Sequence, residues 1–277
     1  MSDASSAARA PFEPEEAPIT RATLTRDLRR LGVAPGAVVL VHAALSKLGW
    51  IFGNTQAAIE ALLAAVGPDG TIMMPTHTGD LTDPALYRNP PVPTHWIDVV
   101  RAEMPAFDPA RTPSSAMGAL AEHFRHWPGA LRSDHPYGSF AAFGPAASAL
   151  TEGHALEAAF GEASPIGALN RLGGQVLLLG VGHGNNTSLH LAEYRAEWPS
   201  KAWHDEGSPI LVDGERHWAT YRALVHDEDD FAELGAAFEA AHPEAVRVGQ
   251  VGKAEARLLD QATMVDFATA WMHGNRT

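Results

Sequence analysis

The chain has 277 residues, 45% of them hydrophobic, which suits one large globular domain or two small ones. Its 33 acidic and 20 basic side chains give a net charge of −13, which argues against nucleic-acid binding and favours a cationic partner, although acidity can also serve solubility alone. With no cysteine, disulfides, a cysteine nucleophile and a thiolate zinc site are excluded. The apolar runs are too short to span a membrane.

The first 18 residues are small, acidic and proline-containing, so we expect residues 1–18 to be a disordered arm. They lack the apolar stretch of a signal peptide, from which we expect a cytoplasmic protein. Neither an internal repeat nor a linker divides the rest of the chain, and we therefore predict a single domain over residues 19–277.

Helix and strand patterns alternate through the first part of the chain. Residues 19–31 are predicted to form an amphipathic helix capped by Thr20, and residues 55–66 a second helix. Strands are predicted at residues 38–42 and 71–76, and this rhythm implies a parallel pair within a three-layer α/β core. Prolines then punctuate residues 77–111, which we expect to form a long functional loop.

Shorter elements are predicted in the rest of the chain. The helices cover residues 117–124, 146–152, 168–172, 230–241 and 265–272. The strands cover residues 140–143, 176–181, 246–251 and 256–259, with an antiparallel hairpin of residues 210–212 and 217–224 about Asp213 and Gly214.

The most informative stretch covers residues 173–197. A buried-strand pattern ends in a glycine-rich, polar turn, and a helix then begins with His190 in its first turn. In open α/β sheets, ligands bind at this edge, beyond the carboxyl ends of the strands. His190 and Glu193 share one helical face, and a histidine beside a carboxylate can act as a general base. A surface pair on the helix is the alternative.

Four segments of the chain together resemble the aminoglycoside 3-N-acetyltransferase family. In chain order they read VVLVHAALSKLGW, FDPARTPSSAMGALAEHFR, RSDHPYGSFAAFGP and LLLGVGHGNNTSLHLAEYRA, and the similarity covers residues 19–272. The run Gly-His-x-x-x-Thr-x-x-His-x-x-Glu in the last segment is the most specific signal. The resemblance implies an α/β fold, three-layer α/β/α with a mixed central sheet.

The resemblance also implies the reaction, which transfers acetyl from acetyl-CoA to the 3-amino group of the 2-deoxystreptamine ring of aminoglycosides and confers antibiotic resistance. His190 matches the family's catalytic histidine, Glu193 the carboxylate beside it, and Thr187 a threonine that could steady the thioester oxygen. Since no cysteine is present, direct transfer with His190 as general base is the simplest route.

Two segments are candidates for binding acetyl-CoA, the only cofactor that we expect. The resemblance implies contacts from the loop residues His42, Ala43, Ala44, Leu45, Ser46 and Lys47. It implies a second contact from Arg132 and Ser133, which could hold a phosphate or a pantetheine carbonyl. The alternative for this pair is a turn with a solvated arginine.

Four carboxylates are candidates for binding a cationic aminoglycoside. Asp80 and Asp83 lie in the proline-rich loop, and Asp227 and Glu228 begin an acidic run that could instead cap a helix. The histidine spacings form no clean metal motif, so we expect no metal. We expect no nucleic-acid or membrane partner, and either a monomer or a homodimer.

Three rival functions stay open on the sequence alone. The first is an acetyltransferase with the same chemistry that acts on a non-antibiotic amine. The second is a drug- or coenzyme-binding protein with little turnover. The third is a hydrolase that uses His190 and a serine. Dependence of the reaction on the coenzyme would distinguish a transferase from this hydrolase.

Overall fold

A seven-stranded mixed sheet lies at the centre of the computed structural model, which describes residues 17–277. The predicted arm therefore lies outside the described residues, apart from its last two positions. No helix in the described range is long and apolar enough to cross a membrane.

Nine α-helices and nine strands are found within residues 17–277. The helices are α1 Arg21–Leu31, α2 Asn54–Val66, α3 Ile97–Glu103, α4 Gly118–Arg125, α5 Ala147–Thr151, α6 Pro165–Arg171, α7 Leu189–Arg195, α8 Phe231–Ala241 and α9 Gln261–Asn275. The strands are β1 Val38–Ala43, β2 Thr71–Pro75, β3 Leu131–Arg132, β4 Phe140–Phe143, β5 Gln175–Leu179, β6 Trp203–Val212, β7 Glu215–Leu224, β8 Val246–Val251 and β9 Ala254–Asp260.

The central sheet has the strand order β3-β4-β2-β1-β5-β9-β8. Strand β1 pairs in parallel with both β2 and β5, whereas β4 and β9 run antiparallel to their neighbours. The predicted parallel pair and mixed sheet are therefore confirmed. Because β1, β2 and β5 point the same way, the loops that come after them meet at one edge of the sheet.

Two apolar layers cover the sheet, as the three-layer prediction requires. Along β1, Val39 and Val41 pack into the core on one face, which includes α1, α2 and α4. Leu40 faces the opposite core, which includes α6, α7, α8 and α9. This alternation arises from the two-residue period of a strand, and burial on both faces explains why residues 38–41 of β1 are all apolar.

Several local predictions are confirmed, and three are incomplete. Thr20 caps α1, and its hydroxyl accepts a hydrogen bond from the Thr23 amide. The predicted loop at residues 77–111 contains the helix α3, and the hairpin strands β6 and β7 are ten residues each, longer than expected. The two-residue strand β3 is absent from the prediction, because so short a segment has no readable period.

Two helical glycines should respond in opposite ways to alanine. A Cβ at Gly235 in α8 would lie 2.0 Å from His183 Cγ, so Gly235→Ala should destabilise the protein by about 1–3 kcal/mol. A Cβ at Gly274 in α9 would meet nothing within 4 Å, so Gly274→Ala should stabilise it by about 0.4–1 kcal/mol. Urea unfolding measures both, and equal effects would contradict the packing of α8 on His183.

Candidate active site

A cavity of about 460 Å³ opens at the edge of the sheet where the three parallel strands end. The ends of β1 and β2 contribute His42 and Pro75, and the turn after β5 contributes residues 184–187. The first turn of α7 adds His190, as the sequence predicted. The topology therefore brings together residues that are far apart in the chain.

A short hydrogen bond joins the two predicted catalytic side chains. His190 Nδ1 lies 2.6 Å from Glu193 Oε2, and since a carboxylate only accepts, Nδ1 carries the proton. This fixes the tautomer and leaves Nε2 as the free ring nitrogen. The His190 ring stacks on Phe160, with centroids 4.9 Å apart and planes 19° apart, so its orientation is held as well.

Glu193 is a fully buried carboxylate. Its Oε1 accepts two further hydrogen bonds, from the Asp227 amide at 2.9 Å and from Arg276 Nη1 at 2.7 Å. A buried charge is tolerated only where it is paired and hydrogen-bonded, and Glu193 meets both conditions. The interpretation of His190 and Glu193 as an exposed surface pair is therefore wrong.

Three further histidines line the same cavity, a grouping for which the sequence contains no signal. They are His42, His77 and His226, each of which lies at or just beyond the end of a different strand. Each has a buried Nε2 without a hydrogen-bond partner among the described residues. His77 Nδ1 lies 3.1 Å from the Ser139 carbonyl, which can only accept, so its Nε2 is a bare acceptor.

These histidines stay neutral at physiological pH. Burial, followed by the nearby His190, lowers the pKa of His42 to about 3. Burial, followed by His42 and His190, lowers the pKa of His77 to about 3 as well. For His226 the same main cause, burial, lowers the pKa well below its usual value. The cavity wall therefore offers polar groups that do not repel a cation.

One group within the described residues has the composition of a metal site. Polar atoms of His190, Glu193 and His226 lie within 4.8 Å of one another. Glu193 already accepts three hydrogen bonds, one of them from the positive guanidinium of Arg276, which disfavours a second cation beside it. The absence of a metal stays a prediction.

The predicted coenzyme loop lies along two adjacent cavities that share lining residues. His42, Ala43 and Ala44 line the cavity of His190, and both alanines also line a neighbouring cavity of about 510 Å³. Leu45 and Ser46 line only this second cavity. Lys47 faces a third cavity, of about 590 Å³, beside His183.

Arg132 and Ser133 have partners within the protein, and their expected contact with the coenzyme stays a prediction. The Arg132 guanidinium donates to the Thr76 carbonyl at 2.6 Å and also to Ser139 Oγ and the Thr112 carbonyl, so it fastens the proline-rich loop to the sheet. Ser133 is fully buried, and its hydroxyl accepts from the Phe140 amide. Both side chains therefore form hydrogen bonds that hold the fold together, and the buried Ser133 hydroxyl needs such an internal partner.

The four predicted substrate carboxylates have different surroundings. Glu228 lines the cavity of His190, whereas Asp80 lines a separate cavity with Arg111 and Arg216. Asp83 forms a two-bond ion pair with Arg101, with distances of 3.0 and 2.7 Å. The Asp227 side chain accepts from the Asp229 amide. Of the four residues, Glu228 is the one that lines the cavity of His190, and the Asp83 carboxylate is paired within the proline-rich loop.

Sequence reasoning also missed two groups in the cavity of the catalytic pair. Phe160, which stacks on His190, comes from a segment with no motif. Tyr137 lies in the segment RSDHPYGSFAAFGP, for which the sequence predicts no role for the tyrosine. Thr187, by contrast, lies in the cavity wall as predicted. The missed groups reach the site by tertiary packing, which no spacing along the chain encodes.

Comparison with known proteins agrees with this geometry. A family model described as aminoglycoside 3-N-acetyltransferase matches residues 40–273. The chain belongs to the aminoglycoside 3-N-acetyltransferase family. It is 40% identical to aminoglycoside N(3)-acetyltransferase VII of Streptomyces paromomycinus, with 93% of this chain and 92% of the relative covered.

Two solved structures of the family are similar to this one. The first is the crystal structure of the YokD protein from Bacillus subtilis, whose sequence is 42% identical to this one. The two structures have a TM-score of 0.90, with 94% of this chain and 95% of that chain covered. The structure of AAC-IIIb in a binary complex with CoASH is 33% identical, with a TM-score of 0.83 over 93% and 97% of the two chains. The α/β fold and the enzyme class expected from the sequence are thereby confirmed.

Acid should destabilise this family member through its buried neutral histidines. His135 Nδ1 accepts from the Tyr137 and Gly138 amides, and burial lowers its pKa to about 4 from 6.5. The unfolded chain takes up this proton below pH 6.5 but the folded chain does not, so stability falls as pH drops from 6.5 toward 4. Each such histidine adds a slope of about 1.4 kcal/mol per pH unit.

Urea unfolding at three pH values between about 7.5 and 5 tests this slope. His135→Asn should reduce the fall in stability across the acidic half of that range, whatever its effect at the highest pH. His126→Asn, at an exposed position, is the matched control and should leave the slope unchanged. An unaltered slope in His135→Asn would show that His135 is not held neutral.

Proposed function

We propose that this protein transfers acetyl from acetyl-CoA to the 3-amino group of the 2-deoxystreptamine ring of aminoglycosides and thereby confers antibiotic resistance. The observation that carries the proposal is the hydrogen-bonded pair of His190 and Glu193 in a cavity at the sheet edge of a family member. Acetylation removes a positive charge from the drug, which weakens its attraction to anionic RNA.

His190 acts as the general base in the proposed mechanism. An ammonium group cannot attack, so the substrate first releases one proton to solvent. Nε2 then takes a second proton from the neutral amine as its nitrogen bonds to the thioester carbonyl carbon. Glu193 accepts from Nδ1 and stabilises the imidazolium that forms. The carbon–sulfur bond then breaks, and the coenzyme leaves as a thiol after taking the proton from the imidazolium.

The turn before α7 is the candidate for stabilising the thioester oxygen as it becomes negative. Thr187 and the neighbouring residues 184–186 form the cavity wall next to His190. The Asn185 and Asn186 amides donate to carbonyls within this turn, so the Thr187 hydroxyl is the proposed donor. A donor held in a fixed turn stabilises an oxyanion without needing to reorganise. We therefore keep Thr187 as a proposed oxyanion contact.

The two adjacent cavities suggest how both substrates reach His190. Ala43 and Ala44 line both of them, so the pantetheine arm of acetyl-CoA would enter along this loop, past Leu45 and Ser46. Binding of CoASH by the similar AAC-IIIb supports a coenzyme site in this fold. The aminoglycoside would enter beside Glu228, where neutral histidines leave the carboxylate as the dominant charge.

Replacement of the base should abolish transfer but not coenzyme binding. His190→Ala should lower kcat by about 10²–10⁴-fold, because general-base catalysis contributes that much. Thiol release from acetyl-CoA against gentamicin, kanamycin, neomycin and apramycin measures turnover, and calorimetry measures coenzyme binding. Exposed His126→Ala is the control. Near-normal turnover in His190→Ala would refute the mechanism.

The same assay separates the rival functions. Thiol release that depends on an aminoglycoside supports the proposal. Coenzyme binding without release on any drug would instead favour a non-antibiotic amine as substrate, and release in a blank without drug would favour a hydrolase.

Two carboxylates offer a matched test of drug binding. Glu228→Gln should raise the KM for the aminoglycoside about tenfold, the effect of losing one charge-assisted hydrogen bond of roughly 1.5 kcal/mol. Asp80→Asn, in the separate cavity, should leave that KM within about twofold of wild type. Equal KM values in wild type and Glu228→Gln would remove Glu228 from the drug site.

A further inference from the structure

The buried charge of Glu193 depends on one cation. Glu193 is 0% exposed, and within residues 17–277 Arg276 is the only lysine or arginine that forms an ion pair with it. The distance from Arg276 Nη1 to Glu193 Oε1 is 2.7 Å. A buried carboxylate without a counter-charge is costly and takes up a proton instead. Arg276 is therefore the counter-charge of this buried carboxylate.

Arg276 is itself held on several sides. Its Nε and Nη2 donate to the two carboxylate oxygens of Asp230, both at 2.7 Å, and Nη2 also donates to the Asp227 carbonyl at 2.6 Å. Its guanidinium carbon lies 4.8 Å from the ring centroid of Trp198. Burial lowers the pKa of Arg276, but the hydrogen bonds to Asp230 and Glu193 outweigh it and raise the pKa. The cation is thus permanent and fixed in place.

The planar fork of Arg276 connects two parts of the candidate active site. One nitrogen binds the carboxylate that holds His190, and another binds the backbone of Asp227, the residue before Glu228. The Asp227 amide in turn donates to the same Oε1 of Glu193. This closed ring of hydrogen bonds couples His190, the proposed base, to the acidic loop, which is the loop after β7 that carries Asp227 and Glu228.

We propose that Arg276 is a positioning residue that supplies the counter-charge of the buried Glu193 carboxylate and fixes its orientation, so that Glu193 accepts from His190 Nδ1–H and leaves Nε2 free as the base. The inference rests on the proposed function for its kinetic readout. Arg276 touches neither substrate in this scheme and acts through Glu193. A lysine provides the charge without the fork, so it should substitute only in part.

Kinetics of Arg276→Ala and Arg276→Lys test this role. In Arg276→Ala, kcat should fall about 10- to 100-fold, the usual cost of losing a group that orients a functional histidine, while the KM for acetyl-CoA stays within about twofold. Arg276→Lys should lie between Arg276→Ala and wild type. Added guanidinium ion should restore part of kcat in Arg276→Ala but none in His190→Ala.

The matched control is Arg195→Ala. Arg195 is on α7 with His190 and pairs with Glu162 and Asp266, so its loss removes an ion pair of the same helix without touching Glu193. Its kcat should stay within about twofold of wild type. Thermal unfolding and coenzyme binding of each variant identify loss of folding, and Arg276→Lys keeps the test decisive if Arg276→Ala does not fold.

A spectroscopic readout separates this inference from the proposed function. In ¹⁵N-histidine-labelled protein, the proton of the His190–Glu193 hydrogen bond should give a downfield resonance that His190→Asn lacks. Its loss in Arg276→Ala and its retention in Arg195→Ala would support the inference even if no aminoglycoside were a substrate. An unchanged resonance in Arg276→Ala, or a normal kcat, would overturn it.

Discussion

The buried negative charge of Glu193 is the constraint on which the site depends. A carboxylate removed from water is tolerated only with a full set of partners, and here His190, the Asp227 amide and Arg276 supply them. Each partner comes from a different element, since α7, the loop after β7 and the residue after α9 all converge on two oxygens. Satisfying one charge therefore fixes the position of the base relative to the acidic loop.

The parallel core of the sheet explains where this network lies. Strands β1, β2 and β5 end at one edge, so the loops that come after them share a single cavity. The antiparallel strands β4 and β9 flank this core and complete the sheet without contributing such loops in the same direction. The proline-rich loop is in turn fastened to the sheet by Arg132, whose hydrogen bonds go to Thr76, Ser139 and Thr112.

The electrostatics of the cavity wall suit a cationic substrate for a physical reason. His42 and His77 are buried, and burial disfavours their charged forms, so these imidazoles add no positive charge near Glu228. Arg276 does bring a positive charge close to the catalytic pair, but Glu193 and Asp230 neutralise it, so it does not repel an incoming amine.

The fold class, most element positions and the pair of His190 and Glu193 could be predicted from the order of residues, because strand and helix periods and an i, i+3 spacing are local properties. The tertiary structure alone determined which charged groups are free to contact a ligand. Arg132 and Asp83 resemble ligand contacts in the sequence, but the folded chain pairs them internally, and Arg276 and Phe160 join the site from segments without a motif. The reason is that pairing and burial depend on neighbours distant in the chain, which the order of residues does not reveal.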